Sequence, residues 1–103
     1  MASVFSVYCG LDTNGHDVDS EAIFYELAGD FFPHGHSVRE EVGRWLSQHG
    51  PVTERTLVLT IMADGATYKE VHETVGRFAG AYKIKAYQEA VLITEHAIDA
   101  VFI

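Results

Sequence analysis

Thr56-Leu57-Val58-Leu59-Thr60-Ile61-Met62-Ala63 is an apolar, β-branched run that leads straight into a helix start and then a second apolar stretch. A run of this length bounded by polar turns reads as a buried strand. Followed by a helix and another strand, it demands a sheet with helices packed on it. That β-α-β unit constrains the fold more than any other feature of the chain.

The remaining elements fall around it. Val4 to Leu11 is rich in β-branched and aromatic residues and predicts a strand, closed by the turn-forming Asp12-Thr13-Asn14-Gly15-His16. Asp17, Asp19 and Ser20 offer helix-capping oxygens, and Ile23, Phe24, Leu27, Ala28 and Phe31 then share one helical face, ended by Pro33 and Gly35. Thr67 and Glu70 form a capping-box pattern for a second helix, with Tyr68, Val71, Val75, Phe78 and Tyr82 on one face and Lys83 and Lys85 at its C-terminal end. Gly76 and Gly80 weaken that helix and suggest a close approach to the sheet. Gln88 to Thr94 predicts another strand and Ala97 to Ile103 an extended tail.

Ser37 to Gln48 supports two readings. Ser37 with Glu40 resembles a capping box, and Val38, Val42, Trp45 and Leu46 have helical spacing. As a strand, the same segment pairs with Thr56 to Ala63 through a turn at His49-Gly50-Pro51, making a long hairpin. The strand reading gives the order β-α-β-β-α-β. Two right-handed crossovers around a hairpin then produce one ferredoxin-like α+β domain over residues 1–103. Its antiparallel sheet has two helices on one face, with the first and third strands central and expected to run parallel.

Val7-Tyr8-Cys9-Gly10-Leu11, Phe32-Pro33-His34-Gly35, Gly43-Arg44-Trp45, Glu54 with the strand after it, and Tyr82 followed by Gln88-Glu89-Ala90-Val91-Leu92 resemble the small bacterial domain-of-unknown-function family 3574. The similarity runs through nearly the whole chain, in order. It implies an α+β domain in which Ser37 to Gln48 is a strand, and so selects that reading. It implies no activity. The chain departs from the family in lacking a leader and in carrying His34 where the family is typically acidic.

Fifteen acidic against seven basic side chains give a formal net charge of -8, which disfavours binding to nucleic acid or anionic membranes. Met1-Ala2-Ser3 is no secretory signal, and no apolar run approaches the ~20 residues that span a bilayer, so a cytoplasmic protein is expected. The single Cys9 forbids an intrachain disulfide and reads as core. His34 and His36 are too few for a structural metal site, and no cofactor motif is present.

Strand alternation places Phe5, Val7, Cys9 and Leu11 with Leu57, Leu59 and Ile61 under the helices. The reverse face is expected to expose Tyr8, Val58, Thr60 and Met62, joined by Trp45 or by Glu89, Val91 and Ile93. Such a face calls for a cover, most simply a second copy enclosing a cavity, or else the C-terminal tail or the long hairpin folded over it. Candidate ligand-binding residues are Tyr8, His34, His36, Arg44, Trp45, Gln88 and Glu89. Arg44 with Trp45 suits an anionic or planar group. Glu89 is the candidate general base if desolvated, or else pairs with Arg44, Arg55 or Lys85. The leading expectation is an oligomeric binding module that sequesters a small ligand or occludes a protein partner, by analogy an inhibitor or sponge of the kind phages use in counter-defence. The alternatives are a dimeric α/β-barrel-like enzyme, of monooxygenase or isomerase type, acting on a small polar or phenolic molecule, and a structural oligomer.

Overall fold

The computed structural model describes residues 2–101 and 103, and the chain forms β1 (Ala2–Gly10), α1 (Ser20–Phe31), β2 (Ser37–Ser47), β3 (Gly50–Asp64), α2 (Tyr68–Lys85) and β4 (Leu92–Ile98). The sheet order is β2-β3-β1-β4. This is the ferredoxin-like α+β arrangement. β1 and β3 are central as expected, but they run antiparallel, from Ala2↔Asp64 to Gly10↔Thr56. Connectivity requires it: the α1 crossover makes β1 parallel to β2, and the tight hairpin then reverses β3.

Phe5, Val7 and Cys9 of β1 and Leu57, Leu59, Ile61 and Ala63 of β3 meet Phe24, Leu27 and Ala28 of α1 and Val75, Phe78, Ala79 and Tyr82 of α2 in one buried core. Phe78 packs edge-on against Phe24 and Phe31, the ring arrangement that aromatic quadrupoles favour. Burial pushes the Cys9 thiol well above its usual range, so it stays protonated and inert. Asp19 caps α1 by accepting from the Ala22 amide at 3.1 Å. Thr67 does not cap α2. Its hydroxyl is held in a local turn, accepting from the Asp64 amide and donating to the Asp64 carboxylate. Gly76 and Gly80 lie on the outer side of α2, where an added Cβ would meet nothing within 4 Å, so they mark no close approach.

β2 is a strand throughout, and the hairpin closes at Ser47↔Gly50, with Gly50 and Pro51 already in β3. β1 covers β3 only from Thr56 onward, so Gly50 to Arg55 and their β2 partners project as a two-stranded arm. Val42 and Leu46 are exposed on it. β4 starts four residues later than expected: Gln88 to Val91 form an irregular loop after α2. Of the expected tail, Ala97 and Ile98 complete β4, Asp99 to Val101 have no regular structure, and Phe102 lies outside the described residues.

The reverse face also differs. Tyr8↔Leu92 pairing puts Leu92, Thr94 and His96 on it, while Ile93 pairs with Val7 on the helix side. Val58 is fully buried there because its cross-strand neighbours Tyr8 and Arg39 meet over it, with the guanidinium 6.0 Å from the ring centroid. Exposed apolar surface on this face is reduced to residues such as Met62 and Leu92. Among the described residues no helix is long and apolar enough to cross a membrane.

β4 leaves β1 at Tyr8, so Gly10 has no β4 partner, and the buried Tyr82 hydroxyl donates to its carbonyl instead. Tyr82→Phe should therefore lower stability by about 1–3 kcal/mol, the cost of a buried acceptor left without a donor. Thermal unfolding monitored by circular dichroism would read this as a fall in Tm, and an unchanged Tm would contradict the role given to the hydroxyl.

Candidate functional site

Where β1 ends and the β2–β3 arm begins, a cleft of about 330 Å³ opens, a size typical of small-molecule sites. Tyr8, Gly10, Asp12, Trp45, Glu54, Gln88 and Glu89 are among its lining residues. Tyr8, Trp45, Gln88 and Glu89, far apart in sequence, are thus brought together. His34 and His36 are not. They lie near the opposite end of β3, where His34 lines a separate hollow with Met62 and Glu70. Glu54 and Met62 are eight residues apart, roughly 26 Å of extended chain. His36 is occupied locally, its Nδ1 3.0 Å from the Phe32 carbonyl oxygen. No group of three or more His, Cys, Asp or Glu side chains among the described residues could hold a metal ion.

Arg44 and Trp45 do not act as a pair. Adjacent strand residues point to opposite faces, and Arg44 sits across from Thr53, its Nε 3.5 Å from the hydroxyl. The expected ion pair of Glu89 is also absent among the described residues, since Arg55 is engaged by Glu40 and by Glu21 at 2.9 Å. Glu89 is exposed at the cleft rim.

Glu54 was not among the sequence candidates, yet it is the best-placed ionisable group. Its carboxylate lies against Gly10, where a Cβ would approach within 2.7 Å of Cδ and 2.8 Å of Oε2. A side chain at position 10 would displace the carboxylate from this place. Oε2 accepts from the Asp12 amide at 3.0 Å. Burial raises the Glu54 pKa above its ordinary value, the Asp12 amide opposes the shift, and the Asp12 charge reinforces it. The resemblance had singled out Glu54, but its meeting with Gly10 depends on the β1–β3 register, which composition and periodicity do not supply.

Two loops close the acidic side of the cleft and lock each other. Gln88 Nε2 donates to the carbonyls of Asp12 and Ala86, at 2.6 and 3.0 Å. Asn14 Nδ2 donates to the Tyr87 carbonyl, and the His16 and Tyr87 rings stack at 3.6 Å. Asn14 and Tyr87 both adopt left-handed backbone conformations, uncommon for a tyrosine. Gln88 is therefore a positioning residue, its amide hydrogens used in holding the loops.

On the opposite wall the Trp45 ring lies over Gly43, where a Cβ would meet Nε1 at 2.6 Å and the Thr56 hydroxyl at 2.8 Å. Trp45 Nε1 and Thr56 Oγ1 are both buried and lack hydrogen-bond partners. The cleft thus combines the Tyr8 and Trp45 rings and the His49 imidazole with the carboxylates of Asp12, Glu54 and Glu89, and among the described residues no Lys or Arg lines it. Such a set suits a flat molecule that carries positive charge.

No family model matches the chain, and no curated protein does. Solved structures match its fold. A phage SAM lyase in complex with S-methyl-5'-thioadenosine superposes with a TM-score of 0.74 at 14% identity, covering 92% of this chain and 80% of the other. The same kind of enzyme in its apo state gives 0.71 at 15% identity, covering 91% and 78%. CutA from Pyrococcus horikoshii gives 0.54 at 11% identity, covering 99% and 88%.

Because Glu54 binds its proton more tightly when folded, its contribution to stability is fully present below the ordinary carboxylate pKa and is lost as pH rises through the raised one. Glu54→Gln keeps an acceptor for the Asp12 amide and removes the buried charge. At pH 7 it should raise Tm by about 2 °C, with the gap closing near pH 4. Paired thermal scans across that range check this, and a lower Tm at pH 7 would contradict it.

Proposed function

We propose that the chain binds an adenosyl sulfonium, S-adenosylmethionine, in the cleft between Trp45, Tyr8 and Glu54, and cleaves it as a lyase. The supporting observation is chemical: the Trp45 and Tyr8 rings and three carboxylates line the cleft together with His49, and among the described residues no Lys or Arg lines it. Carboxylates and the Trp45 face attract a sulfonium, and a planar purine stacks on the indole, while the Tyr8 ring is already engaged by Arg39. The likeness to a phage SAM lyase holding S-methyl-5'-thioadenosine points to the same ligand class. Fold likeness alone would not carry the reading, and the composition of the cleft does.

A sulfonium is already a good leaving group. Its sulfur departs with the C–S bonding pair as the neutral thioether S-methyl-5'-thioadenosine, while the amino-acid fragment closes onto its own carboxylate. Neither a general acid nor a redox partner is needed. The positive charge disappears during this step, so carboxylates that hold the sulfonium favour the bound substrate over the transition state. They supply affinity, and enclosure and alignment supply rate.

A second copy of the chain covers the remaining apolar surface, including Met62 and Leu92 on the reverse face and Leu46 at the cleft on the arm. Self-association of this kind would also shield the cleft from water.

Incubating the purified protein with S-adenosylmethionine and separating products by liquid chromatography tests the activity. Release of S-methyl-5'-thioadenosine is expected. Retention of intact S-adenosylmethionine would replace cleavage with sequestration, and neither binding nor turnover would overturn the reading. Glu54→Gln should raise KM about tenfold and leave kcat no lower than in the wild type, as expected when a charge-assisted contact made mainly in the ground state is removed. Native mass spectrometry should find multiples of the chain mass, and a bare monomer at micromolar concentration would contradict self-association.

A further inference from the structure

The indole of Trp45 is poorly satisfied where it sits. It lies on Gly43 with its N–H buried and unpartnered, beside the equally unpartnered hydroxyl of Thr56. A buried donor and a buried acceptor without partners disfavour an arrangement, and native structures keep few of them. Yet the seat is specific. Gly43 alone makes it, because any Cβ there would collide with the indole nitrogen. The same ring forms a wall of the cleft, diagonal to Glu54, which pairs with Gly43 across the hairpin. The arm carrying it extends beyond the cover of β1 and the helix-packed core, so the ring can leave its seat without disturbing the core.

We propose that Trp45 is a specificity-determining gate: it occupies the Gly43 seat in the free protein and swings out to stack on the ligand's purine. In the swung position its N–H becomes free to donate to an acceptor on the purine or ribose. The seat lowers apparent affinity, because only the unseated fraction binds. It also sets specificity. A ligand with a flat ring and a nearby acceptor repays the displacement, and an aliphatic cation of equal charge does not. The identity of the ligand rests on the proposed function, but the seating of the ring does not.

Trp45 is the only tryptophan, so intrinsic fluorescence reports it alone. Titration with S-methyl-5'-thioadenosine should shift its emission saturably and change its quenching by acrylamide, with the midpoint matching calorimetric affinity. Gly43→Ala fills the seat. Its free-state spectrum should already resemble the liganded wild type, and its affinity for S-methyl-5'-thioadenosine should rise several-fold. Trp45→Phe removes the orphaned N–H without vacating the ring's place. Its Tm should hold or rise, unlike an ordinary Trp truncation, while affinity falls about tenfold or more.

Calorimetric binding with unchanged emission and quenching would overturn the gate and leave the proposed function standing. Absent binding would overturn the proposed function, and the free-state spectrum of Gly43→Ala would then decide the seat alone. A wild-type spectrum in that variant would overturn it. If Gly43→Ala fails to fold, a large loss of Tm in Trp45→Phe overturns it instead.

Discussion

A carboxylate occupies the space that a side chain at Gly10 would fill, and the architecture around the cleft follows from that contact. Glu54 reaches Gly10 because β1 and β3 pair in the Gly10↔Thr56 register. Gly10 is fixed because the Tyr82 hydroxyl holds its carbonyl, tying the strand end to the α2 face that packs the core. Asp12, just beyond, gives its amide to Glu54 and its carbonyl to Gln88, and so joins the loop after β1 to the loop after α2. The path from core to cleft is short. Packing errors around Tyr82 would be felt at the carboxylate.

Several groups in and around the cleft are held in states that cost stability. Glu54 is partly desolvated, Trp45 Nε1 and Thr56 Oγ1 are buried without partners, and Tyr87 has a left-handed backbone. Burial of this kind is expected where a protein must bind something, because the missing partners are those a ligand can provide. The helix side of the sheet shows the contrasting pattern, with apolar side chains closely packed and Tyr82 hydrogen-bonded.

The sequence made the fold legible and left most of the site obscure, for physical reasons. Period-two alternation in Val4 to Leu11 and Thr56 to Ala63 identified the residues under the helices, since burial imposes that period. Ser37 to Gln48 is ambiguous in the sequence because Val38, Val42, Trp45 and Leu46 also satisfy helical spacing, and its pairing with β3 makes it a strand. The cleft required the registers of three strands. Tyr8, Trp45, Gln88 and Glu89 stand out in the sequence as unusual side chains near element ends, and the fold brings them to one cleft. Glu54 does not stand out in the sequence, where it reads as one more acid on an alternating strand, yet it lines the cleft. His34 and His36 drew attention by spacing alone, and the fold carries them to the far end of β3. Gln88 and Glu89 lie in a loop that the apolar run after them makes hard to see in the sequence.

Charge selection is the centre of the account, and two ligands that differ mainly in that charge test it directly. S-Adenosylhomocysteine matches S-adenosylmethionine except that its sulfur is an uncharged thioether lacking the methyl group. Calorimetric titration of both into the same protein at pH 7 should show S-adenosylmethionine binding about tenfold or more tightly, as a charge-assisted contact with Glu54 implies. Equal affinity for the two, or preference for the neutral one, would contradict it.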